Sequence, residues 1–281
     1  MNVVLVSIGT FQEYILINIR QLLRLGHTSI YVITNTDFFD KFAEYADRIH
    51  LISANELNDK FEYHTKTRMN MNFRDAFWVL TSSRFFYIYA FMAKYDIQDV
   101  IHLENDVPIY YHCDILGDLL DKTRIYIPMD AYTRAIASVV YIPHAAVLEK
   151  VLGQYQHNLN DMENFSILAR NNPDLFGFFP ICFPRPDDSS EMAFVTRRFS
   201  EFNMIFDAAA MGQYLGGVDP RNIAGDTTGF VNETCVIKYN DFEFSWKTGL
   251  DGIRRPFLND GNEVYPIFNL HIHCKNLANF V

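Results

Sequence analysis

Short apolar runs alternate with stretches of helical periodicity through the first hundred residues. Residues 3–7 form a continuous apolar run of strand length, closed by Gly9 and Thr10 as turn residues. Over residues 11–25, Phe11, Ile15, Ile19, Leu22 and Leu23 recur at helical spacing until Gly26 stops the pattern. Residues 30–34 read as a second strand. Thr36 and Asp37 open a helix running to about Ala46, and residues 49–53 read as a third strand. After a polar stretch, residues 74–95 carry a long helical pattern that feeds the apolar run Val100–Leu103. This β-α-β-α-β rhythm predicts an α/β fold around a doubly wound, mostly parallel central sheet.

The second half has a less regular rhythm. Strands are expected at 124–128, 137–142, 238–246 and 265–273. Helices are expected at 145–155, from Asp161 to about Asn171, and at 202–215, where Gly216-Gly217 ends the pattern. Residues 185–191 form a charged, proline-containing loop. The Gly/Thr-rich stretch 222–229 has the composition of a lid over a substrate. No repeat, low-complexity tract or linker divides the chain. A single domain over residues 1–281 is the simplest organisation.

Bulk composition narrows the function classes. Nearly half of the 281 residues are hydrophobic (49%), so a substantial core is within reach. The formal net charge is −10 and no basic stripe interrupts it, which argues against nucleic acid as the main partner. Cys113, Cys182, Cys235 and Cys274 are scattered without Cys-x-x-Cys spacing, so neither a zinc site nor a disulfide framework is expected. The first residues lack the basic flank of a signal peptide, and no apolar run approaches the roughly 20 residues of a membrane span. A soluble protein of the cytoplasm, bacterial or viral, is the expectation.

The candidate chemistry lies where the fourth strand ends. Val100–Leu103 is followed by Glu104-Asn105-Asp106, two carboxylates beside a buried strand end. Like charges placed there are costly unless a cation neutralises them. Mg²⁺ favours one or two carboxylates together with phosphate oxygens. In an open α/β sheet, ligands bind outside the carboxyl ends of the strands. A solvated strand-to-loop junction is the other reading of the same residues. Asp207, in the small apolar stretch Phe206-Asp207-Ala208-Ala209-Ala210, is a candidate acceptor-binding group or general base, or an acid at a helix start.

Four stretches, in order, resemble the GT-A glycosyltransferases, the glycogenin-like enzymes and small bacterial or large-DNA-virus transferases in particular. The first is the strand at 3–7 with its Gly9-Thr10 turn. The second is Arg84-Phe85-Phe86-Tyr87 on a helix, followed by Val100-Ile101-His102-Leu103-Glu104-Asn105-Asp106-Val107, with Glu-x-Asp where the family has Asp-x-Asp. The third is Asn160-Asp161-Met162-Glu163. The fourth is Asn269-Leu270-His271-Ile272-His273-Cys274-Lys275, similar to a terminal His motif followed by Lys, without the family's Gly and Lys-Pro-Trp.

The resemblance implies a GT-A-like fold. Its nucleotide-sugar half would span about residues 1–125 and its acceptor half about 126–281. It implies a metal-dependent glycosyltransferase that takes a nucleoside-diphosphate sugar and a glycan or other hydroxyl acceptor, retaining by preference. Asp106 would hold Mn²⁺ or Mg²⁺ with Glu104 in support. His271 or His273 would complete the metal site, His271 being favoured, and Lys275 would meet the diphosphate. Ser7, Gly9, Thr10, Asn35, Arg84 and Glu104 would serve the nucleotide-sugar, and Asp161 and Asp207 the chemistry. A sugar-phosphate nucleotidyltransferase is an alternative, although the turn after the first strand carries no basic residue. A non-catalytic carbohydrate-binding protein is another.

Overall fold

A computed structural model describes all 281 residues. The first half contains β1 (Asn2–Ser7), α1 (Tyr14–Arg24), β2 (Ile30–Thr34), a 3-10 helix at Thr36–Tyr45, β3 (His50–Ser53), α2 (Tyr63–Lys66), α3 (Phe77–Tyr95) and β4 (Val100–Leu103). Then follow β5 (Ile125–Ala131), β6 (Arg134–Ala135), β7 (Val139–Ile142), α4 (Ala145–Leu152), α5 (Asp161–Asn171) and β8 (Phe176–Phe179). The chain ends through α6 (Ser190–Thr196), α7 (Phe199–Phe202), α8 (Ala210–Gly216), β9 (Glu243–Thr248), β10 (Arg254–Asn259) and β11 (Val264–Pro266).

Strands β1 to β8 form one sheet, ordered β3-β2-β1-β4-β7-β5-β6, with β8 paired to β5. β3, β2, β1 and β4 are mutually parallel. β7 runs antiparallel to β4 and to β5, and β8 is parallel to β5. The mostly parallel α/β sheet expected from the sequence is the one found. The chain leaves β1 toward β2 and β3, then returns to the other side of β1 as β4. The ligand crevice of such a sheet opens at that reversal, outside the carboxyl ends of β1 and β4.

The apolar runs are continuous because both faces of the sheet are covered. Val4, Val6 and Val100 pack with Phe85, Ile88 and Phe91 of α3 and with α4 and α5. Val3, Leu5, Ile101 and Leu103 pack on the opposite face with Ile15, Ile19 and Leu22 of α1 and with Phe42 and Tyr45. A third cluster joins α8, β10 and the C-terminal segment through Met211, Leu258, Ile267, Leu270 and Ile272.

Several expected boundaries are corrected. The helix expected from 74 begins at Phe77, because Arg74, Asp75 and Ala76 have φ of 48°, 57° and 61°. Left-handed residues cannot belong to a right-handed helix. The segment opened by Thr36 is a 3-10 helix, not an α-helix. Asn35, just before it, accepts through its side chain from the Gly9 amide at 2.9 Å instead of capping that helix. The helix expected over 202–215 is confined to α8, since α7 ends at Phe202 and an irregular stretch carrying Asp207 lies between them. β8 and β10 carry no strand pattern in the sequence. Phe176-Gly177-Phe178-Phe179 is short and includes a glycine, and β10 opens on Arg254-Arg255-Pro256.

The last expected strand, 265–273, is regular only in β11. Beyond Pro266 the chain stays extended and is bonded on both sides. Tyr110 N donates to Phe268 O (2.8 Å) and Ile272 N to Asp106 O (2.9 Å), while Phe268 N donates to Ile205 O (2.8 Å). This lays the C-terminal segment alongside the residues that follow β4.

Candidate active site

The segment after β4 and the C-terminal segment bring three side chains together. Ligand atoms of Glu104, Asp106 and His271 all lie within 4.8 Å of one another. His271 Nε2 faces Glu104 Oε2 at 3.1 Å and Asp106 Oδ1 at 3.5 Å. Its Nδ1 lies 2.9 Å from the Ala208 carbonyl, which fixes Nδ1 as the donor and turns Nε2 toward the carboxylates. Burial alone would lower the affinity of His271 for a proton. The Asp106 and Glu104 carboxylates outweigh burial and raise it to about 9. Burial acts to raise the Asp106 carboxyl, but Lys275 and His271 outweigh it and hold that group well below its ordinary range. The Lys275 ammonium bonds the second Asp106 oxygen.

These residues fit a hard divalent cation. Glu104 Oε2 is buried and accepts no hydrogen bond, although an imidazole nitrogen lies beside it. Two carboxylates and one imidazole make a donor set suited to Mn²⁺ or Mg²⁺. His271, Lys275 and Arg84 surround the two carboxylates.

Arg84, buried on α3, organises the back of this cluster. It bonds Glu104 through Nη1 and Asp161 Oδ2 through Nη2 at 2.7 Å. Asp161 opens α5, whose cap is Asn160 in a reciprocal capping box with Glu163. Burial raises the Asp161 carboxyl above its ordinary value, against the pull of Arg84. His102 on β4 is fully inside, with Nδ1 at 2.9 Å from the Val4 carbonyl. Burial, then Arg84, lowers it to about 3, so it is neutral.

The cluster lies in a cavity of about 940 Å³. Thr10, Arg84, Glu104, Asp106, Asp161, His271, His273 and Lys275 all line it. Ser7, Gly9 and Asn35 do not: they build the turn. Thr34 Oγ1 donates to Ser7 O at 2.6 Å, and Gly9, at φ +79°, takes a left-handed conformation that favours glycine. His273 is not one of the three converging ligands. Its ring lies 4.0 Å from that of His271. Burial, then His271, pushes it well below its ordinary range, and its buried Nε2 has no partner.

Asp207 requires a correction. It is 0% exposed and lies outside the cavity lining. Its carboxylate accepts from the backbone amides of Met211 (3.0 Å), Gly212 (2.7 Å) and His271 (2.8 Å). An acid so occupied joins α8 to the His271 backbone and has no free oxygen for substrate. Sequence reasoning does not single out Tyr14, Arg134, Asp219 or Arg221, all of which line the cavity. They come from separate elements and share no local pattern.

The molecule is therefore an α/β protein with a carboxylate–imidazole cluster at the switch point of its sheet. No protein-family model and no curated protein sequence matches the chain. Among solved structures it is similar to glycosyltransferases. Apo mouse xyloside xylosyltransferase 1 matches with 11% identity over 65% of this chain and 86% of that one, at a TM-score of 0.46. An active-site mutant of LgtC matches with 13% identity over 74% of this chain and 85% of that one, also at 0.46. A cytidylyltransferase from Leptospira borgpetersenii matches with 16% identity over 68% and 78%, at 0.41.

Proposed function

We propose that this chain is a metal-dependent glycosyltransferase, moving a sugar from a nucleoside-diphosphate donor to a hydroxyl of a glycan acceptor. The observation that carries this reading is the convergence of Glu104, Asp106 and His271, with Lys275 beside them, in one cavity at the sheet's switch point. Asp106, Glu104 and His271 would hold Mn²⁺ or Mg²⁺, and the ion would supply Lewis acidity to the departing diphosphate. Lys275 brings a further positive charge to the same oxygens. Arg84 keeps Glu104 in place, and the β1 turn presents Thr10 to the donor. Residues up to about 125 serve the donor in this reading, and those beyond serve the acceptor.

The His271–Lys275 tail inclines this reading to the retaining course, in which the leaving phosphate takes the acceptor proton; Asp161, which lines the cavity, stays the candidate acid of the chemistry. The basic turn expected of a nucleotidyltransferase is missing after β1, where residues 8–13 contain neither Lys nor Arg. No helix is long and apolar enough to cross a membrane. The four unpaired cysteines support a reducing, cytoplasmic setting.

A thermal-shift screen of UDP-, GDP-, CMP- and dTDP-sugars, with and without Mn²⁺, tests the proposal. At least one donor should stabilise the protein only with metal, and Asp106→Asn should abolish that shift while the protein stays folded. Donor binding or turnover that persists unchanged in excess EDTA would overturn it.

A further inference from the structure

A second cavity, of about 610 Å³, lies at the sheet edge formed by β8 and is separate from the first. The two share α5. Asp161 and Met162 in its first turn line the first cavity, while Ala169 and Arg170 in its last turn line the second. Asp161 and Arg170 are nine positions apart on this helix, about 14 Å along its axis.

Four arginines, Arg124, Arg170, Arg197 and Arg198, line this second cavity beside three acids, Asp121, Asp174 and Glu201, a net positive lining in a chain of net charge −10. Two of them are already neutralised, Arg124 by Asp121 (3.1 Å) and Arg198 by Glu201 (2.6 Å). The other two make no ion pair. Arg170 only reaches the Tyr132 carbonyl, at 3.4 Å. Arg197 is packed over Phe178 at 4.0 Å and Phe194 at 4.2 Å. Stacking on rings fixes the plane of a guanidinium and leaves its N–H edge free for a bidentate anion.

We infer that this cavity binds a phosphate dianion, as inorganic phosphate or a small phosphomonoester, between Arg170 and Arg197. Concavity and volume suit a small molecule. The site does not depend on the glycosyl-transfer proposal, since no residue of the metal cluster takes part.

The test is calorimetric titration of the full chain with inorganic phosphate and with glycerol phosphate, in EDTA. Lys275→Ala serves as the control for binding in the first cavity. Saturable binding is expected in the wild type and in Lys275→Ala. Arg170→Ala/Arg197→Ala should weaken it by at least about tenfold, and Arg197→Lys, which keeps the charge but loses the fork, by less. Tighter binding of glycerol phosphate than of phosphate identifies an ester as the ligand; equal binding identifies the free ion. Circular dichroism establishes that each variant is folded. Binding unchanged in the double variant, binding lost in Lys275→Ala, or no saturation up to roughly 10 mM would overturn the inference.

Discussion

Gly212→Ala should damage the carboxylate–imidazole cluster without touching it. Gly212 lies in α8, outside the cavity, where a Cβ would fall 1.9 Å from the His271 carbonyl oxygen and 3.1 Å from Asp207 Oδ2. Real Cβ contacts stay beyond 3.0 Å, so the two segments must separate by at least about 1.1 Å. The amides of Gly212 and His271 both bond Asp207 Oδ2, so the displacement loads those two bonds directly. Overpacking of this kind costs about 1–3 kcal/mol of stability. His271 moves with its backbone, and an error of about 1 Å in a positioned group costs on the order of a hundredfold in rate. The assay pairs a denaturant melt with Mn²⁺ titration and donor turnover. Lower stability together with weaker Mn²⁺ binding is expected. A destabilised variant with wild-type Mn²⁺ affinity would show that α8 yields alone, and would refute the idea that Asp207 and Gly212 set the place of His271.

Three further outcomes follow from the buried charges. Arg84→Met leaves Glu104 and Asp161 without their shared cation and should cost about 3–5 kcal/mol in a urea melt; pairing it with Glu104→Gln and Asp161→Leu should restore most of that. A loss under about 1 kcal/mol would contradict the network. Asp130 is 0% exposed, and burial raises its carboxyl to about 7 despite Arg134 at 2.7 Å. The folded state thus holds a proton that the unfolded chain releases near 3.8, so stability should fall as pH rises from about 4 to about 7, by at most about 4 kcal/mol. Asp130→Asn should flatten that part of the pH–stability profile, and an identical profile in the variant would refute the assignment. Lys275→Ala should lower kcat more than it raises the donor KM, because charge on the leaving diphosphate grows only as the bond breaks. An effect confined to KM would count against its role.

The sequence alone determined the frame of the first hundred residues. Continuous apolar runs can be satisfied only where both faces of a strand are covered, so β1, β2 and β4 and the helix α1 were legible from local pattern. The pair Glu104 and Asp106 was legible too, because acids abutting a buried strand are costly without a cation. Tertiary structure decided the remainder. Resemblance favours His271 over His273, but the two alternate on the same side, and only the Ala208 carbonyl and the Asp207–backbone bonds show why His271 is the one turned inward. Asp207 reads as a candidate base because an unpaired acid in an apolar stretch is conspicuous; its partners are three amides, which no side-chain pattern can reveal. The path of residues 267–272 follows from hydrogen bonds to residues 106–110, far away in the chain, and not from its own periodicity. Local periodicity reports which face of an element is buried, whereas convergence on a site depends on contacts between segments whose separation along the chain leaves no mark in either one.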